Sequence, residues 1–219
     1  RSCQFCGVKT GKPGIVDWSE PLKVAKSIQI MKVKHAVITS VDRDDLKDGG
    51  ASLWVETVKS IRKLNPSTTL ETLIPDFKGE NKDLDKIIKV MPEVISHNLE
   101  TVRRLTREVR VQAKYDRSLY VLKYLKEQGA NRTKSGIMLG LGETEDEVLE
   151  TLHDLRGANV DVVTIGQYLQ PSKKLLQVKE FIKPEQFDKY AQIAKDIGFI
   201  HVESGPLVRS SYKAHKHIN

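Results

Sequence analysis

The sequence has only two cysteines among 219 residues, and it has no long apolar run. Two cysteines cannot build the disulfide framework that stabilises many small secreted proteins. No apolar stretch approaches the roughly 20 residues of a membrane-spanning helix, so we expect a soluble protein with no membrane partner. The first residue is Arg1 rather than methionine, and no signal peptide follows it. We therefore expect that a segment preceding Arg1 is missing.

Acidic residues are fewer than basic ones, by 29 to 36, which gives a formal net charge of +7. This excess favours an acidic partner, although the charges are scattered and no long basic run resembles a nucleic-acid tail. We therefore expect no nucleic-acid partner. Hydrophobic residues make up 39% of the chain and charged residues 30%, which indicates a globular protein and excludes a disordered one.

Short β-branched or apolar runs alternate with segments of helical spacing. Helical spacing occurs around Trp54, Val148 and Phe187, and it also predicts helices over Val102–Val109 and Lys114–Gln128. A capping-box pattern beginning at Thr144 predicts that one helix begins there. The predicted strands are Val33–Thr39, Thr68–Ile74, Glu93–His97, Lys134–Leu139, Val160–Ile165 and Phe199–Glu203.

Strands that alternate with crossover helices predict a parallel sheet with right-handed connections. Six such units favour an α/β fold with a partial (β/α)6 barrel as one domain over residues 1–219. A doubly wound open sheet is the alternative, and periodicity alone does not separate the two.

Polar residues or glycines follow every predicted strand. In either architecture the ligand site lies at the carboxyl ends of parallel strands. Loops after strands are often polar whatever the protein does. However, all six strand ends share this character, and an acidic run spans Asp42–Asp45. The pattern therefore favours a polar ligand over the mouth of the barrel.

Cys3 and Cys6 form a C-x-x-C pair, which is weak evidence when it stands alone. Thioredoxin-like redox centres, zinc sites and iron–sulfur clusters all use this spacing. A redox motif is expected after a strand, and no strand is predicted before Cys3. A zinc site needs two more ligands, and the histidines offer no suitably spaced pair. An iron–sulfur cluster needs a further thiolate, which would have to precede Arg1.

The segment Arg1-Ser-Cys-Gln-Phe-Cys6 resembles the end of the C-x3-C-x2-C signature of radical S-adenosylmethionine enzymes, whose first cysteine would lie two positions before Arg1. Along nearly its whole length the chain resembles the lipoyl synthase family. The matching segments are Ile38–Leu46, Asp48–Ala51, Pro75–Phe77, His97-Asn98, Glu100–Val102, Thr133–Gly136, Gly140–Thr144, Gly166–Leu169 and Ser204–Tyr212. The most specific are Val-Asp-Arg-Asp-Asp-Leu and Arg-Ser-Ser-Tyr.

The resemblance implies an enzyme that inserts sulfur at C6 and C8 of an octanoyl chain on a carrier-protein lysine. It implies two [4Fe–4S] clusters and S-adenosylmethionine, which is cleaved to a 5′-deoxyadenosyl radical. Cys3 and Cys6 correspond to two ligands of the radical cluster. Ser211 corresponds to a ligand of an auxiliary cluster that supplies sulfur, and that cluster's three cysteines lie in an N-terminal segment absent from this chain. The chain alone is therefore expected to be inactive.

For S-adenosylmethionine itself, the resemblance and the barrel geometry suggest several side chains. Phe5 is expected beside the cluster and the adenine, Arg117 at the carboxylate, and Gln167 as a weaker candidate. The side chains expected to bind its ribose hydroxyls and its ammonium group are those of Thr39, Ser40, Asp42, Asn98 and Glu100.

The resemblance implies octanoylated carrier domains as partners, namely E2 subunits of 2-oxoacid dehydrogenases and the glycine cleavage H protein, and an electron donor such as a ferredoxin or flavodoxin. The compartment would be the cytoplasm in a bacterium, or a mitochondrion or plastid in a eukaryote. Three alternatives stay open: a non-enzymatic carrier-binding fragment, a different radical S-adenosylmethionine enzyme, and a phosphate-binding (β/α) enzyme.

Overall fold

The computed structural model describes residues 1–218 and contains one parallel sheet of six strands. Each strand runs parallel to its neighbours. The strands are β1 (His35–Thr39), β2 (Thr69–Leu73), β3 (Val94–Ser96), β4 (Thr133–Leu139), β5 (Val162–Gln167) and β6 (His201–Gly205). The six strands predicted from the sequence are thus confirmed, with ends that differ by at most two residues.

The strand order in the sheet is β1-β2-β3-β4-β5-β6, the same as in the chain. Every crossover therefore advances in one direction, whereas a doubly wound sheet reverses its order at a switch point. This winding confirms the predicted partial (β/α)6 barrel and excludes the doubly wound alternative. Strands β1 and β6 are the two edges, and the barrel is open between them.

Seven α-helices connect or precede the strands in the described part of the chain. They are α1 (Glu20–Met31), α2 (Ala51–Leu64), α3 (Asn81–Lys89), α4 (Thr106–Val109), α5 (Tyr115–Glu127), α6 (Glu145–Gly157) and α7 (Pro184–Ile197). The predicted helices at α2, α5, α6 and α7 are confirmed. The helix predicted over Val102–Val109 is wrong in its first half, because Val102 and Leu105 are buried within turns rather than in a helix.

Helix α6 begins where the capping-box pattern places it. The Thr144 hydroxyl accepts a hydrogen bond from the Glu147 amide, and the Glu147 carboxylate accepts one from the Thr144 amide at 2.8 Å. These two contacts satisfy backbone donors that have no partner within the helix. The helix therefore starts directly after the turn that follows β4.

The helices pack against the sheet through apolar side chains, and the inside of the barrel carries buried polar groups. The largest apolar cluster joins β4 and β5 to α5, α6 and α7, with Leu122, Ile137, Leu152, Ile165 and Phe187 among its members. Glu71, Ser96 and Lys134 are fully buried on the strands themselves. Among residues 1–218, no helix combines the length and apolar character needed to cross a bilayer.

Candidate active site

The carboxyl ends of the first strands surround a cavity of about 800 Å³, the larger of two described below. The chain's amino-terminal segment forms one wall, and the loops after β1, β2 and β3 form the others. The predicted site residues that line it are Cys3, Phe5, Cys6, Thr39, Ser40, Asp42, Asn98 and Glu100. Eight of the predicted residues, from three separate parts of the chain, are therefore brought together.

Cys3 and Cys6 lie in one turn, where the Cys6 amide donates to the Cys3 carbonyl at 3.3 Å. Between them, the Gln4 amide donates to Val109 at the end of α4, and the Gln4 carbonyl accepts from Leu176 at 3.1 Å. The turn is thus held between two neighbouring segments. Both thiols are free and half-buried at the cavity.

Arg110 supplies a buried positive charge at the cavity, and this charge acts on the Cys3 thiol. It is 5% exposed, and its guanidinium donates to the Leu99 carbonyl at 3.0 Å and the Ser118 hydroxyl at 3.1 Å. Burial raises the pKa of the Cys3 thiol, and the Arg110 charge opposes that rise. Burial also raises the pKa of Glu100, and the Arg110 charge opposes that rise as well. Arg110 therefore favours negative charge on this wall of the cavity.

Arg1, which also lines the cavity, pairs with three carboxylates. Its guanidinium lies 2.6 Å from Asp76, 2.7 Å from Asp44 and 3.3 Å from Asp42. Burial opposes ionisation of Asp76, but the hydrogen bond and charge of Arg1 outweigh it and lower the pKa of Asp76 to about 2. Burial dominates at Asp42, whose pKa is raised although Arg1 opposes the rise. Asp42, predicted as a ligand-binding residue, is thus already paired with Arg1.

Asn98 and Glu100 are placed at the cavity by an irregular stretch after β3. Glu100 has a backbone φ of 67°, a strained conformation for a residue with a side chain, and it bridges to β4 through hydrogen bonds with Gly136 and Met138. The Asn98 amide group donates to the Glu100 carboxylate at 3.1 Å. Within residues 1–218, the buried Asn98 Oδ1 has no hydrogen-bond partner. This acceptor is therefore available to a bound ligand.

A smaller cavity of about 280 Å³ adjoins the first, because Phe5, Leu73, Asn98 and Glu100 line both. Gln167 lines it too, but its amide group is used to hold the segment after β5. It accepts from the Ile182 amide at 2.9 Å and donates to the Glu180 carbonyl at 3.0 Å. Gln167 therefore shapes the wall of the smaller cavity.

Two predicted site residues lie outside both linings. Arg117, on α5, pairs with Asp76 at 3.3 Å rather than opening into the cavity. Ser211 is exposed on the tail after β6, whereas its neighbour Ser210 lines the smaller cavity. The roles assigned to both residues stay predictions.

Sequence reasoning missed the charged residues that organise the cavity, above all Arg110 and Arg1. Arg110 stands between Val109 and Val111, and an arginine between apolar residues is a weak signal of burial. Arg1 pairs with carboxylates 41 to 75 positions away, and no spacing rule reaches so far.

The residues present fit the groups that the sequence implies. Two free thiols beside a buried guanidinium suit an anionic iron–sulfur cluster, since thiolates are its usual ligands. The unpartnered Asn98 oxygen and the Glu100 carboxylate suit a ligand that carries an ammonium group and hydroxyls. Within residues 1–218, no three His, Cys, Asp or Glu side chains converge as a metal site. The described residues therefore offer two thiols at the cavity and no complete set of metal ligands.

Comparison with known proteins identifies the family. Residues 1–155 match the model of the radical SAM superfamily. The chain is 73% identical over 219 residues to the mitochondrial lipoyl synthase of Nematostella vectensis, covering 100% of this chain and 75% of that protein. It is 73% identical over 218 residues to the lipoyl synthase of Flavobacterium johnsoniae, with 100% and 76% covered.

Solved structures agree on the fold. The chain resembles the crystal structure of HydG, a maturase of the [FeFe]-hydrogenase, with a TM-score of 0.68, 15% identity, and 98% of this chain and 56% of that chain covered. It resembles coproporphyrinogen III oxidase from Escherichia coli, described as a radical SAM enzyme, with a TM-score of 0.64, 15% identity, and 99% and 55% covered. The superfamily match, together with the similarity to these relatives over the whole of this chain, shows that the chain belongs to the lipoyl synthase family within the radical SAM superfamily.

Proposed function

We propose that this chain carries the radical-generating domain of a lipoyl synthase, which inserts sulfur at C6 and C8 of an octanoyl group bound to a carrier-protein lysine. Family membership supports this reaction, with S-adenosylmethionine and iron–sulfur clusters as cofactors and a lipoyl-carrier protein as substrate. Residues 1–219 would form one domain with the Arg209–Tyr212 segment as its C-terminal tail. An N-terminal segment outside these residues would hold the auxiliary cluster.

One observation carries the proposal: two free thiols lie in a single turn at the mouth of a cavity of about 800 Å³. Cys3 and Cys6 would ligate a [4Fe–4S] cluster, and a third thiolate would come from outside residues 1–219. The position beside Arg110 supports this assignment, because the guanidinium offsets the negative charge of thiolates and sulfides.

The cavity residues would bind S-adenosylmethionine over this turn. Glu100 and Asn98 would accept hydrogen bonds from its ammonium and ribose hydroxyls, and the exposed Thr39 and Ser40 would contact its outer edge. Phe5, which lies between the cysteines and lines both cavities, would pack against the adenine. When bound, the cofactors supply the electron that opens the sulfonium and the sulfur atoms that are inserted.

The smaller cavity would hold the octanoyl chain. Its apolar lining includes Leu73, Ile137, Met138 and Val208, and it shares Glu100 with the lining of the larger cavity. Burying about seven carbons at roughly 0.8 kcal/mol each stabilises binding by about 5–6 kcal/mol. Because this gives little selectivity among acyl chains, contacts with the carrier protein would add recognition.

Ser211 would be the chain's ligand to the auxiliary cluster. Its neighbour Ser210 lines the smaller cavity, so this part of the tail lies beside the proposed octanoyl site. A sulfur donor held there would be close to the carbon atoms that lose hydrogen. The exposed Ser211 side chain leaves room for a cluster carried by another segment.

The partners would be octanoylated E2 subunits of 2-oxoacid dehydrogenases and the glycine cleavage H protein, with a ferredoxin or flavodoxin as electron donor. The net charge of +7 supports an acidic carrier surface. The relatives include bacterial and mitochondrial proteins, so the chain would act in the cytoplasm of a bacterium or in a mitochondrion or plastid.

The test uses the full-length enzyme, purified without oxygen and assayed with dithionite, S-adenosylmethionine and an octanoylated H protein. We expect 5′-deoxyadenosine and lipoylated product, and we expect both to be lost in Cys3→Ala and Cys6→Ala. The control is Ser27→Ala, which also removes a single polar heavy atom but does so at an exposed position on α1.

Product formation by either cysteine variant would contradict the ligand assignment. Release of 5′-deoxyadenosine without lipoylated product would instead favour a different radical S-adenosylmethionine enzyme. If the parent binds octanoylated carrier but releases no 5′-deoxyadenosine, the chain would be a carrier-binding protein without this activity.

A further inference from the structure

Lys134 is a fully buried charge that the cavity chemistry above does not use. It stands on β4, in register with Ser96 of β3, and its ammonium lies 2.8 Å and 3.0 Å from the two carboxylate oxygens of Glu71 on β2. Both side chains are fully buried. The Ser96 hydroxyl donates to the same carboxylate at 2.6 Å. The pair thus ties three adjacent strands together inside the barrel.

The ammonium also donates to the backbone carbonyl of Ser210, 76 residues further along the chain. This carbonyl belongs to the same planar peptide unit as the amide of Ser211. An ammonium offers three donors, and here they reach two carboxylate oxygens and the tail. Holding this peptide fixes the point from which the Ser211 side chain departs.

The tail on either side of Ser210 is held by contacts of its backbone and of its side chains. The Val208 carbonyl packs so closely on Gly166 that a Cβ there would lie 2.3 Å from it. The Arg209 guanidinium donates to the Val208 carbonyl at 2.7 Å, and Lys213 pairs with Glu203 at 3.6 Å. Among residues 1–218, the Ser211 hydroxyl has no hydrogen bond of its own. Its position therefore depends on how the neighbouring backbone is held.

A buried ion pair is weak evidence of a stability role, because apolar replacements of similar volume are often as stable. However, an apolar pair at these positions would have no donor for the Ser210 carbonyl of the tail. The Thr133–Gly136 segment, singled out in the sequence by its match to the family, contains this lysine.

We propose that Lys134, oriented by Glu71 and Ser96, is a positioning residue that holds the Ser210–Ser211 peptide and so presents Ser211 to the auxiliary cluster. The presentation of Ser211 rests on the proposed function, whereas the attachment of the tail does not. Substitution of Lys134 should therefore loosen the tail and alter the cluster bound to it.

The test uses the full-length protein with Glu71→Gln/Lys134→Met, a double variant that leaves no buried charge without its partner. Hydrogen exchange is measured in the peptides covering 206–217. We expect about tenfold faster exchange there, the effect of losing one hydrogen bond to a charged group. The control is Lys86→Met, which removes an ammonium placed between Asp48 and Asp83 on the outer side of the barrel. Unchanged exchange in the double variant would overturn the proposal.

A second measurement tests the positioning of Ser211. In a Cys3→Ala/Cys6→Ala background, only the auxiliary cluster should contribute to the electron paramagnetic resonance spectrum of the reduced protein. We expect the spectrum to change in Glu71→Gln/Lys134→Met and in Ser211→Ala, but not in Lys86→Met.

The two arms separate the possible failures. If Ser211→Ala leaves the spectrum unchanged, the ligand assignment fails and the positioning role fails with it. If only the double variant leaves the spectrum unchanged while Ser211→Ala alters it, the positioning role is refuted and the ligand assignment stands.

Discussion

Gly136 offers a sharp test of the cavity geometry, because a methyl group there has no space. It lies on β4 opposite Thr164 of β5. A Cβ at this position would lie 2.5 Å from the Thr164 hydroxyl and 3.2 Å from Asn98 Oδ1, whereas ordinary contact begins near 3.4 Å. For Gly136→Ala to fold, Thr164 must rotate and Asn98 must shift.

We expect Gly136→Ala to destabilise the protein by about 1–3 kcal/mol, the usual range for overpacking a core. Because Asn98 moves, binding of S-adenosylmethionine should weaken as well. Removing the opposing hydroxyl in Gly136→Ala/Thr164→Ala should recover part of the stability. Thermal unfolding of the full-length protein and calorimetric titration with S-adenosylmethionine measure the two effects.

Gly157 provides the matched control. It lies at the end of α6, and an added Cβ meets no atom within 4 Å. Gly157→Ala should therefore stabilise the protein by about 0.5–1 kcal/mol, as expected in a helix, and leave ligand binding unchanged. If Gly136→Ala matched the parent in both stability and affinity, the close packing of Asn98 against β4 would be refuted.

Three further predictions follow from the site and the fold. Glu100→Gln should raise the Kd for S-adenosylmethionine about tenfold, because it removes the contact between the carboxylate and the ammonium group. It should not lower the Tm, because it also removes a buried charge. Calorimetric titration measures the Kd, and an unchanged Kd would exclude the contact. Burial lowers the pKa of His97 from 6.5 to about 4, so the unfolded chain takes up a proton that the folded chain does not, and stability falls as the pH drops from about 6.5 towards 4. Denaturant unfolding at several pH values should show a shallower dependence in His97→Gln, and an equal slope would contradict the neutral buried histidine. Thr144→Ala should cost about 1 kcal/mol in thermal unfolding through loss of the cap on α6, and no change would contradict the capping role.

The strands and the barrel could be predicted from the sequence because each predicted strand contains β-branched or apolar residues and is followed by polar residues or glycines. The helical spacing of apolar residues gave a wrong prediction at Val102 and Leu105. These residues are buried within turns, and their spacing matches that of a helix only by chance. Helix α3 was missed because it has few apolar residues, with only Leu84 and Ile87 fully buried among them.

The site residues that directly follow a strand could be predicted, because the carboxyl ends of parallel strands meet at one side of the barrel. Asn98 and Glu100 follow a strand directly, and the topology brings them to the cysteines. Lys134 could not be placed in the same way, because its partner Glu71 lies 63 positions away and no spacing rule reaches so far. Arg110 contacts Leu99 only 11 positions away, but it does so from a turn after α4, where no periodic pattern indicates which way a side chain points. Arg117 illustrates the reverse case: its pairing with Asp76 depends on the rotation of α5 rather than on any local pattern.

The most direct test of the account is the iron content of the full-length protein purified without oxygen. We predict about eight iron atoms per chain in two [4Fe–4S] clusters, and about half that number in Cys3→Ala/Cys6→Ala. Equal iron in the parent and the variant would contradict the claim that these two cysteines hold a cluster at the mouth of the barrel.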